Sequence, residues 1–128
     1  MAEERKTEAS IATPQASHHL RMNAEMFRAL AFALYTLSVH ELETCSPRRL
    51  LTHVLNDPKR PIFRLSVKSL DETCRLDKLM GAVKLSVRID STTNDRLREF
   101  REYAEGKLGR PVSVVEAVNV CIRTFNGS

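Results

Sequence analysis

The most constraining feature of this 128-residue chain is the strict alternation of apolar and polar residues from Val83 to Asp90. Apolar residues occupy every second position, so a β-strand over this segment has one apolar face. Its other face carries Lys84, Ser86 and Arg88. Because a lone strand leaves its backbone donors and acceptors unpaired, this strand must find a partner strand.

A long amphipathic helix is predicted directly after the strand. The segment from Asp90 to Thr92 offers three candidate N-caps, and Thr92 with Asp95 has the spacing of a capping box. Apolar residues then recur at intervals of three and four, which is the spacing of one buried helical stripe. Gly109 is the expected end of this helix, because glycine adopts the left-handed conformation easily, and Gly106 is an earlier alternative.

A second helix is predicted to begin at Val114. Ser113 and Glu116 have the spacing of a capping box, in which each side chain accepts a hydrogen bond from the backbone of the other residue. The whole unit, residues 83–128, has roughly 45 residues, a size at which many domains need a partner to bury enough apolar surface. A two-fold dimer would pair the strand with its own copy. The predicted dimer core consists of Leu85, Val87, Ile89, Leu97, Phe100, Val118, Ile122 and Phe125.

This succession of strand, cap, glycine stop and capped second helix resembles the ribbon-helix-helix domain of the MetJ/Arc superfamily. The resemblance implies a mainly α fold with a short intermolecular antiparallel β-ribbon that enters the DNA major groove. It implies that the base-contacting residues are Lys84, Ser86 and Arg88. It also implies that the N-terminus of the second helix binds a phosphate, and the predicted phosphate contacts are Arg110, Ser113, Val114 and Val115.

The N-terminal part of the chain is predicted to be helical after a flexible tail over residues 1–17. Within residues 18–60, Asn23 is the expected cap of a helix that ends near Leu42, and Ser46-Pro47 starts a shorter helix that Asn56-Asp57-Pro58 ends. The first helix is apolar over more than half of its circumference. We therefore expect a helical hairpin that packs on the C-terminal dimer, packs on its own symmetry mate, or binds a different protein through residues 24–55.

Residues 61–82 are interpreted as a linker. Phe63 to Val67 alternates like the later strand, and Arg64 to Lys68 (RLSVK) nearly repeats Lys84 to Arg88 (KLSVR). An extra edge strand, a duplication and a coincidence all remain open for this match. The later segment is favoured as the DNA-binding strand, because two well-capped helices follow it, whereas Asp71 to Met80 supports only a short helix.

Composition excludes several classes of function. The three cysteines and four histidines are not spaced as a disulfide framework, a zinc site or a catalytic site, so we expect no metal, no cofactor and no enzymatic activity. No signal peptide is recognisable, and the apolar segment Met26 to Val39 is interrupted by Arg28 and is too short to span a bilayer. A cytoplasmic protein of bacterial, phage or plasmid origin with no membrane association is therefore expected.

The net charge of +4 is compatible with nucleic-acid binding. The expected function is that of a homodimeric, sequence-specific repressor that binds double-stranded DNA, with higher-order assembly on the operator left open. Plasmid partition and relaxosome assembly are close alternatives. A third alternative is an inhibitor or antitoxin whose N-terminal helices cover a target protein.

Overall fold

A computed structural model describes residues 15–127 of the chain. The elements in chain order are β1 (Gln15–Met22), α1 (Ala24–Glu41), α2 (Pro47–Leu55), a 3-10 turn (Pro61–Arg64), α3 (Val67–Thr73), a second 3-10 turn (Leu76–Lys78), β2 (Val83–Asp90), α4 (Ser91–Leu108) and α5 (Val114–Phe125). The described chain is thus mainly helical, with one two-stranded antiparallel sheet.

The two strands belong to the same polypeptide. β1 pairs with β2 in a register that sets Gln15 opposite Asp90 and Met22 opposite Val83. The prediction that β2 pairs with a copy of itself in a second chain is therefore wrong, since β1 supplies its partner. The predicted tail is also wrong for residues 15–17, which begin β1; residues 1–14 of that tail lie outside the described part of the chain.

The chain contains two strand–helix–helix units related by a constant sequence offset of 67 residues. Asn23 caps α1 and Asp90 caps α4, and each side chain accepts a hydrogen bond from the backbone N–H three residues later. The second helices are capped by Ser46 and Ser113, which are again 67 residues apart. No gap interrupts this correspondence from strand to second helix, so each unit is built to the same plan.

Core positions obey the same offset. The buried residues of α1 are Met26, Leu30, Ala33 and Leu37, and those at the equivalent positions of α4 are Thr93, Leu97, Phe100 and Ala104. The four buried residues of α2, Leu50, Leu51, Val54 and Leu55, correspond to Ala117, Val118, Cys121 and Ile122 of α5, all buried. The two units therefore contribute equivalent faces to one shared core.

The strand register places an approximate two-fold axis at the centre of the ribbon. His19 lies opposite Ser86, and these two residues are themselves 67 positions apart. The second helix of each unit packs against the strand of the other unit: α2 packs against β2, and α5 packs against β1. Six of the eight predicted dimer-core residues are buried within this single chain, while Leu85 and Phe125 are partly buried against the same core.

Residues 61–82 form more than a linker. Ile62, Leu70 and Leu79 are buried, and α3 packs against both α4 and α5. Phe63 packs edge-on to Phe100 with ring centroids 5.5 Å apart. This segment covers the helices of the second unit.

Phe63 to Val67 does not form the extra strand that the sequence left open. Pro61 opens a 3-10 turn, and the Ser66 hydroxyl accepts a hydrogen bond from the Ser69 N–H to cap α3. This cap therefore starts a helix at Val67, although the nearly identical segment Lys84 to Arg88 lies in a strand. The predicted capping box at Thr92 is also wrong, because Asp90 is the cap of α4.

Other boundaries predicted from the sequence are confirmed. α1 ends at Glu41 with Leu42 as its cap, α2 begins after Ser46 and ends before Asn56, and α4 ends with Gly109 in the left-handed conformation (φ 71°). The capping box of Ser113 and Glu116 has both of its hydrogen bonds. Within residues 15–127, the helices are too short or too polar to cross a lipid bilayer.

Candidate nucleic-acid interface

The outer face of the ribbon, apart from its terminal pair Gln15 and Asp90, displays six exposed polar side chains. They are Ser17, His19, Arg21, Lys84, Ser86 and Arg88. Strand alternation sends the intervening residues to the inner face, where Leu20, Met22, Val87 and Ile89 are buried. The outer side chains are therefore held on a strand pair whose other face is anchored in the core.

The six side chains lie in three cross-strand pairs. His19 and Ser86 form the central pair, and the His19 Nδ1 and Ser86 Oγ atoms are 2.9 Å apart in a hydrogen bond. At one end of the ribbon the Arg88 Nε donates to Ser17 Oγ at 3.4 Å, and at the other end Arg21 lies opposite Lys84. Three cations and no carboxylate thus occupy these six positions.

A ribbon of this size fits the DNA major groove. Each strand has eight residues, and at roughly 3.3 Å per residue it extends over about 26 Å. The major groove is about 12 Å wide and admits a two-stranded ribbon. Arginine and lysine donate to the acceptors of guanine in that groove, and serine can bond either kind of base edge.

The inner face contains one polar residue that is satisfied within the chain. His18 points inward, at the position that Leu85 occupies in the second unit, and its Nε2 lies 2.8 Å from the Asn94 Oδ1 of α4. This contact joins β1 of the first unit to the first helix of the second unit. It accounts for His18 without any metal.

The predicted phosphate contacts are brought together at the N-terminus of α5, but most of their polar groups are already paired. The Glu116 carboxylate accepts a hydrogen bond from the Ser113 N–H at 2.8 Å. Arg110 forms ion pairs with Asp71 at 2.9 Å and with Glu116 at 3.7 Å. The hydrogen bond from Arg110 holds the pKa of Asp71 below its ordinary value. A phosphate at this helix end would approach a carboxylate, so phosphate binding by Arg110, Ser113, Val114 and Val115 stays a prediction.

The equivalent helix end in the first unit carries two arginines and no acidic residue in its first turn. The offset of 67 places Arg48 where the second unit has Val115, and Arg49 where it has Glu116. Arg49 forms ion pairs with Glu41 and Glu43, whereas Arg48 is exposed. Hydrogen bonds with Thr93 are the main cause that holds the pKa of Asp90 below its ordinary value, and the positive charge of Arg48 lowers it further. A pocket of about 290 Å³ opens here beside the end of β2, lined by Thr44, Ser46, Arg48, Arg49, Thr52 and Asp90. The sequence interpretation missed the arginines at this helix end because it assigned residues 18–60 to a separate helical region.

The cysteines do not form a nucleophilic site. Cys45, Cys74 and Cys121 are buried and unpaired with one another. Burial raises the pKa of Cys74 to about 11 and that of Cys121 to about 12, which keeps both thiols protonated at neutral pH. Residues 15–127 contain no cluster of three or more histidine, cysteine, aspartate or glutamate side chains arranged to hold a metal ion.

The structure exposes Lys84, Ser86 and Arg88 on the outer face of β2, as the alternation predicts, and adds three neighbours from β1. Ser17, His19 and Arg21 were missed because two of them are not cationic and β1 lacks a continuous apolar face. One signal was available in the sequence. The spacing from Asn23 to Ser46 equals the spacing from Asp90 to Ser113, and a duplicated cap spacing predicts a duplicated strand before the first cap.

Comparison with known proteins yields no relative. No protein-family model, curated protein or solved structure matches this chain. The function is therefore argued from the geometry of the described residues.

Proposed function

We propose that this protein binds double-stranded DNA as a ribbon-helix-helix protein whose two units lie in one polypeptide, and that it acts as a transcriptional repressor by occluding its operator. One observation carries the proposal: a two-stranded antiparallel ribbon, anchored by its inner face, presents three cations and three hydrogen-bonding side chains outward. β1 and β2 together form the element that enters the major groove.

The proposal assigns base contacts to the exposed side chains of both strands. Arg21 and Arg88 are equivalent under the offset of 67, so each is expected to bond a guanine in its own half of the site. A phosphate contact is assigned to Arg48, an exposed cation in the first turn of α2 near the end of β2. The Asp90 carboxylate lines the same pocket and accepts a hydrogen bond from the Thr93 N–H. Repression, plasmid partition and relaxosome assembly share this binding mode, and the genes adjoining the coding sequence would distinguish them.

Selection of bound sites from a random duplex pool tests the proposal. The selected duplex and a scrambled duplex are then compared by gel shift with the Arg88→Ala variant. This variant is expected to lose about 1–3 kcal/mol of binding free energy on the selected duplex and much less on the scrambled one.

Arg98→Ala is the matched control, because Arg98 is an exposed arginine within α4 and not on the ribbon, and it forms an ion pair with Asp95. It should bind both duplexes as the unmodified protein does. Affinity should also fall steeply with salt concentration as phosphate contacts release counterions. A pool that yields no enriched sequence, or a flat salt response, would contradict DNA binding.

A second candidate function, protein docking through α1, is favoured by a separate observation. The side of α1 opposite the core exposes Phe32 (58 %), Tyr35 (68 %), Val39 (55 %) and Leu42 (89 %). These residues recur at intervals of three and four and therefore form one stripe. At the equivalent positions the second unit has Glu99, Glu102, Gly106 and Gly109, so the shared plan does not require an apolar surface here.

The docking function is tested by co-purification with the products of adjoining genes. A relaxase, a partition ATPase or a toxin that binds this stripe should be retained by the unmodified chain and lost with Tyr35→Glu. Glu102→Ala, at the equivalent position of α4, is the control. Equal retention by Tyr35→Glu and the unmodified chain would place the contact elsewhere.

A further inference from the structure

We infer that the DNA site of this protein is not a palindrome: its two half-sites share the base pair contacted by arginine and differ at the base pair contacted by Lys84. This inference rests on the proposed function. It follows from comparing the outer side chains at positions related by the offset of 67. The equivalent pairs are Ser17 with Lys84, His19 with Ser86, and Arg21 with Arg88.

A homodimer would present the same side chains at both ends of its ribbon, because a two-fold axis relates them. Here the ends differ. Arg21 lies opposite Lys84 at one end, whereas Arg88 lies opposite Ser17 at the other and donates to its hydroxyl at 3.4 Å. The first end therefore offers two cations and the second end offers one cation with a hydroxyl.

This difference changes which bases each end can distinguish. An arginine at equivalent positions of both ends favours guanine in both half-sites, since its guanidinium bonds guanine O6 and N7 together. Lys84 has donors only and favours the acceptors of a further guanine. Ser17 both donates and accepts, so it discriminates weakly at the equivalent base pair.

The centre of the ribbon is asymmetric as well. His19 and Ser86 lie on the approximate two-fold axis and bond each other at 2.9 Å. At the middle of the site, an imidazole ring therefore faces one DNA strand and a hydroxyl faces the other DNA strand. The middle base pairs are read by two different groups, which again opposes a symmetric sequence.

The test compares the unmodified protein with a symmetrised variant in selection from a random duplex pool. The double substitution Ser17→Lys with His19→Ser gives β1 the outer residues Lys, Ser and Arg, the same set as β2. All the altered positions are exposed, and an unchanged unfolding midpoint verifies that the variant folds. The unmodified protein should select a site with unlike halves, and the symmetrised variant should select a palindrome made of two copies of the half-site under Lys84.

The reciprocal variant, Lys84→Ser with Ser86→His, should select the other palindrome. Its preference for the base pair facing position 84 should fall by roughly 5- to 150-fold, the range of one good side-chain contact to a base.

The outcomes separate this inference from the proposed function. A palindrome selected by the unmodified protein would overturn the inference and leave DNA binding intact. Unlike halves selected by both the unmodified protein and the symmetrised variant would overturn the assignment of the asymmetry to these side chains. Absence of any selected sequence would reject DNA binding and the inference together.

Discussion

Gly81 lies where the chain enters β2 and passes the junction between β1 and α1. A Cβ atom at this position would lie 2.4 Å from the Asn23 Cα, 2.6 Å from the Met22 carbonyl oxygen and 2.7 Å from the Asn23 nitrogen. All three contacts are with backbone atoms, which cannot rotate away as a side chain can. Hydrogen bonds fix this junction further, because the Asn23 N–H donates to Leu79 O at 2.7 Å and its side chain donates to Lys78 O at 2.7 Å.

We expect Gly81→Ala to lower the free energy of unfolding by about 1–3 kcal/mol, the usual cost of forcing an extra carbon into a packed site. Gly106→Ala is the matched control. Gly106 is in α4, and a Cβ there would meet no atom within 4 Å. Since glycine within a helix is less favourable than alanine by roughly 0.5–1 kcal/mol, this substitution should stabilise the protein.

Urea denaturation followed by circular dichroism measures both substitutions. The two variants should shift the midpoint in opposite directions with similar slopes, and together they should differ by about 1.5–4 kcal/mol. The contact at Gly81 exists only because β1 of the same chain runs beside β2. An unfolding midpoint for Gly81→Ala equal to or above that of the unmodified chain would therefore refute the intramolecular pairing.

Three further predictions follow from the same architecture. The unfolding midpoint should not depend on protein concentration, because both strands come from one chain; a midpoint that rises with concentration in equilibrium denaturation would favour an obligate dimer. Asp90→Ala should cost about 0.5–2 kcal/mol at neutral pH by removing the cap of α4, whereas Asp90→Asn should retain it, as Asn23 does in α1. Hydrogen bonds from Thr93 hold the native pKa of Asp90 below its ordinary value. The ionised Asp90 carboxylate therefore contributes fully to the free energy of unfolding at neutral pH, and this contribution is lost as pH falls from about 4 downward. Denaturation measured across that range should show the free energies of unfolding of Asp90→Asn and of the unmodified chain converging. Cys74 and Cys121 should react with a disulfide reagent at pH 8 only as fast as the protein opens, and rapid labelling of the native state would contradict their burial.

The second strand–helix–helix unit was predictable because each of its signals is local. Strict alternation defines β2, Gly109 ends α4, and Ser113 with Glu116 caps α5. The helices of the first unit were predictable for the same reason. Asn23 and Ser46 are strong caps, and Pro47 suits the first turn of a helix.

The strand β1 was not predictable from its residues taken alone. Its inner face contains the small Ala16 and the polar His18 beside Leu20 and Met22, so only two of the four inner positions carry large apolar side chains. His18 is tolerated there because Asn94 supplies a hydrogen-bonding partner from a helix 76 residues away. Such a partner becomes visible only after the chain has folded.

The five-residue match at 64–68 was misleading for the opposite reason. Its letters are those of a strand, but Pro61 and Ser66 impose a turn and a cap, and the segment has no free strand to join. Local propensity for strand formation is weak, and neighbouring residues readily override it. The correspondence of two pairs of caps, Asn23 with Asp90 and Ser46 with Ser113, was the stronger signal, since it relates positions that determine where helices begin.

The covalent connection between β1 and β2 has a consequence for gene dosage. A repressor that must first assemble from two chains is scarce at low abundance, because the amount assembled then grows with the square of the chain concentration. In this protein the partner strand is always present on the same molecule, at the high local concentration that a tether provides. Under the proposed function, occupancy of the DNA site should consequently rise in direct proportion to the number of molecules per cell while the site is far from saturated.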